Sequence, residues 1–341
     1  MKHLVNLVAA VAIVLILDGC HRLPHFENDP EGNFDALWEI LDTHYCYFEE
    51  KGIDWDSIYN VYRPMVTPET GPVELFTVCA EMLDELRDGH VNLTSPFATS
   101  YYKKWWSDYP QNYDERLVEE HYLHFGGFTH NGLTYAILPD SVGYMRYGSF
   151  SYGLSDLTLD YALALLAPCR GLIIDVRDNG GGELTNVETL VARFIKERIT
   201  AGYISHKSGP QHDAFSKPYQ YYFDPAPEQR PRWDKPVAIL TNRSTFSAAN
   251  NFVAIMHSLP AVRLIGDTSG GGSGMPFGSE IPCGWSVRFS GSPVFDADMV
   301  ITEFGVAPDI HIDLDPQKAL EGIDTMLDAA ICDIIARSSQ Q

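Results

Sequence analysis

Three short apolar runs constrain this chain more than any other feature of it. Gly171 to Arg177, Pro236 to Thr241 and Val262 to Gly266 are rich in Leu, Ile and Val and end in polar or glycine-bearing turns. Helical stretches lie between them, over about 184–196 and over the segment where Phe252, Ile255, Met256 and Leu259 share one face. Strands that are apolar on both faces and alternate with helices belong to a largely parallel sheet covered on both sides. Tyr144 to Tyr147 reads as a further strand. Residues 155–166 read as a helix with Leu157, Tyr161 and Leu165 spaced by four. An α/β core over 142–338 is therefore expected.

The preceding chain has a different texture. Phe34, Leu37, Trp38 and Leu41 fall on one helical face, a second helical stretch runs over about 54–62, and Leu75, Phe76, Cys79, Met82, Leu83 and Leu86 keep the same period. Gly89 is placed to cap that third helix. Residues 34–90 thus form a helical subdomain, and 91–141 a short segment of hairpins and loops, with Asn131-Gly132 as a hairpin turn. Residues 21–33 are a polar tether.

Residues 1–20 read as a secretory signal: Lys2 and His3, an apolar run from Leu4 to Leu17, then Asp18-Gly19-Cys20. The run is too short for a membrane span, which needs about 20 apolar residues. Leu17-Asp18-Gly19-Cys20 looks like a bacterial lipobox, with Cys20 lipidated and the protein anchored in the cell envelope, periplasmic or surface-exposed. A plain cleaved signal is the alternative. The net charge of −22 argues against a nucleic-acid partner. Five further cysteines, scattered and without a CxxC, do not indicate a disulfide framework.

Three places carry candidate chemistry. Ser247 lies in Asn242-Arg-Ser-Thr-Phe-Ser-Ala-Ala-Asn250, between a buried strand and an amphipathic helix, where free N–H groups favour developing negative charge. The turn is not a GxSxG elbow, and simple helix capping by Ser244, Thr245 or Ser247 is the plainer reading of that position. Asp178-Asn-Gly-Gly-Gly182 also ends a strand, and its glycines allow backbone N–H groups to approach a ligand; no Gly-Lys-Ser/Thr follows, so it is not a P-loop. His90, in Leu86-Arg-Asp-Gly-His90, is on position alone a cap or surface residue. His121 and His124 lack a metal-ligand pattern, and His311 reads as the solvent face of a strand.

In this order, the three motifs resemble peptidase family S41, the tricorn proteases and C-terminal processing peptidases. Phe34-Asp-Ala-Leu-Trp38 and Ile53-Asp-Trp-Asp56 are similar to its N-terminal helical segment, and Gly305-Val-Ala-Pro-Asp309 to a late element. The resemblance implies a ClpP/crotonase-like α/β core and a serine peptidase acting on peptide or protein substrates, with no metal or cofactor, and the N-terminal signal makes it an exported one. It also implies roles: Ser247 as nucleophile, Gly181 or Gly180 with Ala248 as oxyanion hole. One branch of the family uses lysine as base, but no lysine lies between Lys235 and Lys318. The histidine-using tricorn branch fits instead, with His90 as base and Glu303 as the glutamate that orients it. Gly89 stands where that branch has serine. The span from His90 to Val142 is too short for the PDZ domain many members carry. Two other readings stay open: a catalytically silent protein of the same fold that binds an apolar ligand or peptide, and a crotonase-type acyl-CoA enzyme, which export and the histidine motif disfavour.

Overall fold

A computed structural model describes residues 26–339; the signal, Cys20 and the first part of the tether lie outside them. The helical part begins with α1 (Pro30–His44), α2 (Trp55–Tyr62) and α3 (Pro72–Asp84). Asp29 starts α1 by accepting from Gly32 N–H at 2.7 Å, just ahead of Pro30, whose fixed φ suits a first turn. Helices α1 and α2 are joined by stacked indoles: Trp38 and Trp55 each donate to the other's carbonyl at 3.2 Å. Helix α3 stops at Asp84, and the residue that turns the chain left-handed is Arg87, at φ 48°, rather than Gly89.

After β1 (Asn92–Thr94) come two short helices, α4 (Lys104–Ser107) and α5 (Glu115–Val118), and the hairpin of β2 (Phe128–His130) and β3 (Leu133–Leu138). Asn131 and Gly132, both at positive φ, make its turn as expected. His121 lies in a helical turn over Glu119–Leu123 that His124 ends at φ 50°, not in an extended segment.

The core continues with β4 (Val142–Tyr147), α6 (Asp156–Leu166), β5 (Gly171–Asp175), α7 (Leu184–Val191), β6 (Ile199–Ile204), β7 (Tyr219–Phe223), β8 (Val237–Thr241), α8 (Ala248–His257) and β9 (Val262–Gly266). It ends with β10 (Met275–Glu280), β11 (Ser286–Ser292), β12 (Val294–Phe295), β13 (Ile310–His311), α9 (Pro316–Leu320) and α10 (Thr325–Ser338). The main sheet has seven strands in the order β13-β9-β8-β5-β4-β3-β2. From β4 to β13 neighbours are parallel, and β4-β3-β2 are antiparallel. The sheet thus takes two strands from before residue 142, because Leu133, Leu138 and their neighbours complete a buried edge. Helix α6 buries Leu159, Ala162, Leu163 and Leu166, and leaves Leu157 and Tyr161 at 66 % and 72 % exposure. The spacing-by-four stripe is therefore its outer face.

One hairpin joins the two parts. Strands β10 and β11 extend away from the core, and Ile281, Trp285, Val287 and Phe289 complete the hydrophobic core of the helical subdomain with Leu37, Leu41, Cys79 and Met82. Strand β1 pairs with β11, and Cys46 N–H donates to Ser290 at 3.0 Å.

Behind the strand ends, Arg177 is fully buried between two carboxylates, at 2.6 Å from Asp175 and 2.9 Å from Asp324. Asp324 also caps α10, accepting from Met326 and Leu327 N–H. Removing one partner of such a network leaves uncompensated buried charge, which costs about 3–5 kcal/mol. Arg177→Met is accordingly expected to lower the unfolding free energy in urea by about that amount. A loss under about 1 kcal/mol would show that the network does not bear on stability.

Candidate active site

The site lies at the C-terminal ends of β5 and β8, the edge where parallel α/β sheets open toward ligands. Two turns meet there and are stitched together. Asn242 accepts from Asp178 N–H (3.0 Å) and donates to its carboxylate (2.7 Å). Thr245 Oγ1 donates to the Val176 carbonyl at 2.8 Å, and Phe246 N–H to the Asn179 carbonyl at 3.0 Å. Ser247 N–H donates to Gly271 at 2.8 Å.

These bonds hold Ser247 at φ 57° and ψ −122°. A residue with a side chain pays of order 1–3 kcal/mol for such a conformation, so the surrounding bonds must enforce it. Ser247 sits in the N-cap position of α8 yet makes no capping bond. Its hydroxyl lies 3.0 Å from His90 Nε2 instead. The plainer capping reading of this serine is thereby set aside.

His90 reaches it from the other half of the molecule. Asp88 Oδ1 accepts from His90 N–H at 2.8 Å and Oδ2 from the Tyr45 hydroxyl at 3.0 Å, which fixes the loop after α3. The His90 ring packs on Phe246, whose other partner is the stacked indole of Trp105 at 4.1 Å. A Cβ on Gly89 would lie 2.5 Å from Trp105 Nε1, so glycine here serves the packing of Trp105 rather than a helix cap. Gly89, Trp105 and Phe246 line a cavity of about 390 Å³ together with Lys51, Arg87, Gly270 and Glu303.

In the glycine loop, Gly181 is at φ 94°, and a Cβ there would come within 2.8 Å of Ala248 N and Ser247 Cβ. Only glycine permits this approach. Gly181 N–H already donates to Asn179 Oδ1 at 2.9 Å, while Gly180 has open space around its Cα.

Glu303 is buried, but it does not touch His90. Its Oε1 lies 2.8 Å from Lys51 Nζ, and its Oε2 accepts from Ser273 N–H at 2.9 Å. His90 Nδ1 is buried with no protein partner among the described residues. Of the residues singled out in the sequence, Ser247, His90, Gly180, Gly181 and Ala248 therefore converge, and Glu303 stands behind them with Lys51. Sequence reasoning missed Lys51, Asp88, Tyr45 and Trp105. Asp88 alone carried a signal, two residues before the histidine. No group of three or more metal-binding side chains occurs among the described residues.

Burial pulls the His90 imidazole down to about 4, with Asp88 opposing and Arg288 and Lys51 adding to the fall. The ring is thus neutral at pH 7, as a proton acceptor must be. Burial, then Asp88, push Glu303 up to about 7 against the pull of Lys51 and Ser273 N–H. Asp88 itself lies below its ordinary range, because Lys51 and His90 outweigh its burial.

Residues 141–312 match the profile of Peptidase family S41, and residues 26–84 that of the Tricorn protease C1 domain. The carboxy-terminal processing protease CtpA of Bacillus subtilis (strain 168) is 26% identical over 156 residues, 46% of this chain and 31% of that protein. This chain therefore spans about a third of that relative. A crystal structure from Parabacteroides merdae ATCC 43184, described only as that of a candidate peptidase, is 42% identical, covers 92% of this chain and 99% of its own, and superposes with a TM-score of 0.88. Mature CPAF complexed with lactacystin shares the fold at 12% identity, with a TM-score of 0.67 over 90% of this chain and 99% of that one.

The lowered His90 value has a consequence for stability. Its folded value lies below the unfolded one, so the fold favours the neutral ring, and that contribution is complete above about pH 6.5 and lost as pH falls through about 4. Unfolding free energy should therefore drop more steeply from pH 6.5 to 4 in the unaltered protein than in His90→Asn. Parallel pH–stability curves would overturn the assignment.

Proposed function

The chain belongs to peptidase family S41, and from that membership we propose that it hydrolyses peptide bonds as a serine peptidase with Ser247 as nucleophile and His90 as general base. The observation that carries this reading is the 3.0 Å separation of Ser247 Oγ and His90 Nε2, reached by a serine whose strained backbone serves no capping bond. The same separation favours catalysis over the ligand-binding alternative.

The steps follow from the geometry. As Ser247 Oγ attacks the substrate carbonyl carbon, its proton passes to His90 Nε2. The oxygen of the tetrahedral intermediate, now negative, is met by Ala248 N–H in the first turn of α8 and by an N–H of the Gly180–Gly181 loop. If that donor is Gly181, Asn179 Oδ1 shares it. The imidazolium then protonates the leaving amine, the acyl–oxygen bond to Ser247 is hydrolysed by water that gives its proton to His90, and the serine is regenerated. Glu303 makes no contact with His90, and its partners are Lys51 and Ser273 N–H. Lys2 and His3, the apolar run from Leu4 to Leu17 and the Leu17-Asp18-Gly19-Cys20 sequence support export and a tether through Cys20 in a bacterial envelope.

Ser247→Ala is expected to abolish labelling by a fluorophosphonate while leaving the circular dichroism unchanged; undiminished labelling would remove Ser247 from the mechanism. Gly181→Ala forces a methyl group against the Ser247 turn, and peptide-library turnover is expected to fall about 100-fold or more, the scale of losing one oxyanion donor. Turnover within threefold of the unaltered protein would count against the loop's role.

A further inference from the structure

Behind His90 lies a buried ionic cluster that the mechanism above leaves without a purpose for its cation. Lys51 extends from the turn after α1, with its side chain 4 % exposed. Its Nζ is 2.8 Å from Glu303 on the nucleophile side and 3.6 Å from Asp88 on the histidine loop. It lies over the Tyr45 and Tyr47 rings, at 5.9 and 5.7 Å from their centroids. Lys51 is clasped to the same loop by side chain and backbone: its Nζ donates to the Arg87 carbonyl at 3.2 Å, and Arg87 Nη2 donates to its carbonyl at 2.6 Å.

Two carboxylates in one buried cluster repel each other, and one will take up a proton unless a cation compensates. Those carboxylates belong to opposite halves of the molecule, since Asp88 precedes His90 and Glu303 accepts from Ser273 in the loop beside Ser247. We propose that Lys51 is a positioning residue of the reaction: it bridges Asp88 and Glu303 as their shared counter-charge and thereby holds the histidine loop in register with the nucleophile turn.

The groups facing this cluster agree with that role. Tyr45, Cys46 and Tyr47 are all pushed upward by burial and by the two carboxylates, so they stay neutral and lend no charge. Arg288 on β11 faces Asp88, but burial lowers it and no ion pair with Asp88 forms among the described residues. Lys51 is held above its ordinary range by Asp88 and Glu303 despite its burial. It is therefore a fixed cation and not a lysine base, and its direct effect on the imidazolium is unfavourable. Its service is to geometry, and its pull on Glu303 only partly offsets burial and Asp88.

The proposal rests on the Ser247–His90 reading, and the test separates the two. In the full chain, the Glu303 carboxyl titration is followed by difference infrared spectroscopy, using Glu303→Gln to assign the band. Lys51→Met is expected to raise its midpoint by at least one pH unit. It should also lower kcat on peptides 10- to 100-fold with KM within threefold, while Lys51→Arg keeps most of the activity. Lys51→Met/Glu303→Gln should turn over no more slowly than the worse of its two single variants, because Lys51 acts through Glu303. This double variant buries no uncompensated carboxylate pair and carries the comparison if Lys51→Met does not fold. An unmoved Glu303 midpoint, an unchanged kcat, or fully additive losses would each overturn the proposal. Fluorophosphonate labelling that survives in Ser247→Ala would instead overturn the catalytic reading, and the titration would still decide the role of Lys51.

Discussion

The hairpin of β10 and β11 belongs by connection to the α/β core and by packing to the helical subdomain. Trp285 and Phe289 lie in a hydrophobic cluster with Leu37, Leu41 and Met82, and β11 pairs with the strand that directly follows His90. Burial of side chains of this size contributes about 1.5–3 kcal/mol each, far more than any single polar contact at the site. The hydrogen bond between His90 and Ser247 is therefore a small interaction placed by a large one. The hairpin's apolar anchors thus contribute most to joining the two separately cored halves, and the 3.0 Å bond between His90 and Ser247 adds little to them.

Within that frame the site is over-determined on the nucleophile side and lightly held on the histidine side. Ser247 is fixed by backbone bonds from Gly271 and by a turn stitched to Asn179 and Asp178. His90 has a buried Nδ1 with no protein acceptor among the described residues, so its ring orientation comes from packing on Phe246 and from the Asp88 turn. Gly89 belongs to this arrangement as a steric concession to Trp105. Where the tricorn branch has a serine that extends the polar relay, this chain fills the space with an indole.

Much of this was legible in the sequence, and the misses have physical causes. Buried strands such as Leu172 to Asp175 announce themselves because both faces are apolar, and the turns after them carry glycine or serine for reasons of conformation. The helix over 156–166 was legible, but its burial was not: Leu157, Tyr161 and Leu165 share a stripe as apolar as the true inner face of Leu159, Ala162 and Leu163. The β10–β11 hairpin gave no periodic signal, since Pro276, Gly278 and Gly291 interrupt its alternation. Lys51 was hidden most thoroughly. In Glu49-Glu50-Lys51-Gly52 it reads as a solvated turn, and only the tertiary fold encloses it with Asp88 and Glu303.

The order in which the chain is made gives the hairpin a further meaning. The proposed base precedes the proposed nucleophile by 157 residues, and the hairpin that fixes their distance follows both. The helical subdomain cannot close its core until residues 281–289 have emerged, because Ile281, Trp285, Val287 and Phe289 are part of it. Contacts of such long sequence separation form late, after their loop-closure entropy has been overcome. A nascent chain that already carries His90 and Ser247 therefore has no working pair until residues 281–289 follow, and competence arrives near the end of synthesis.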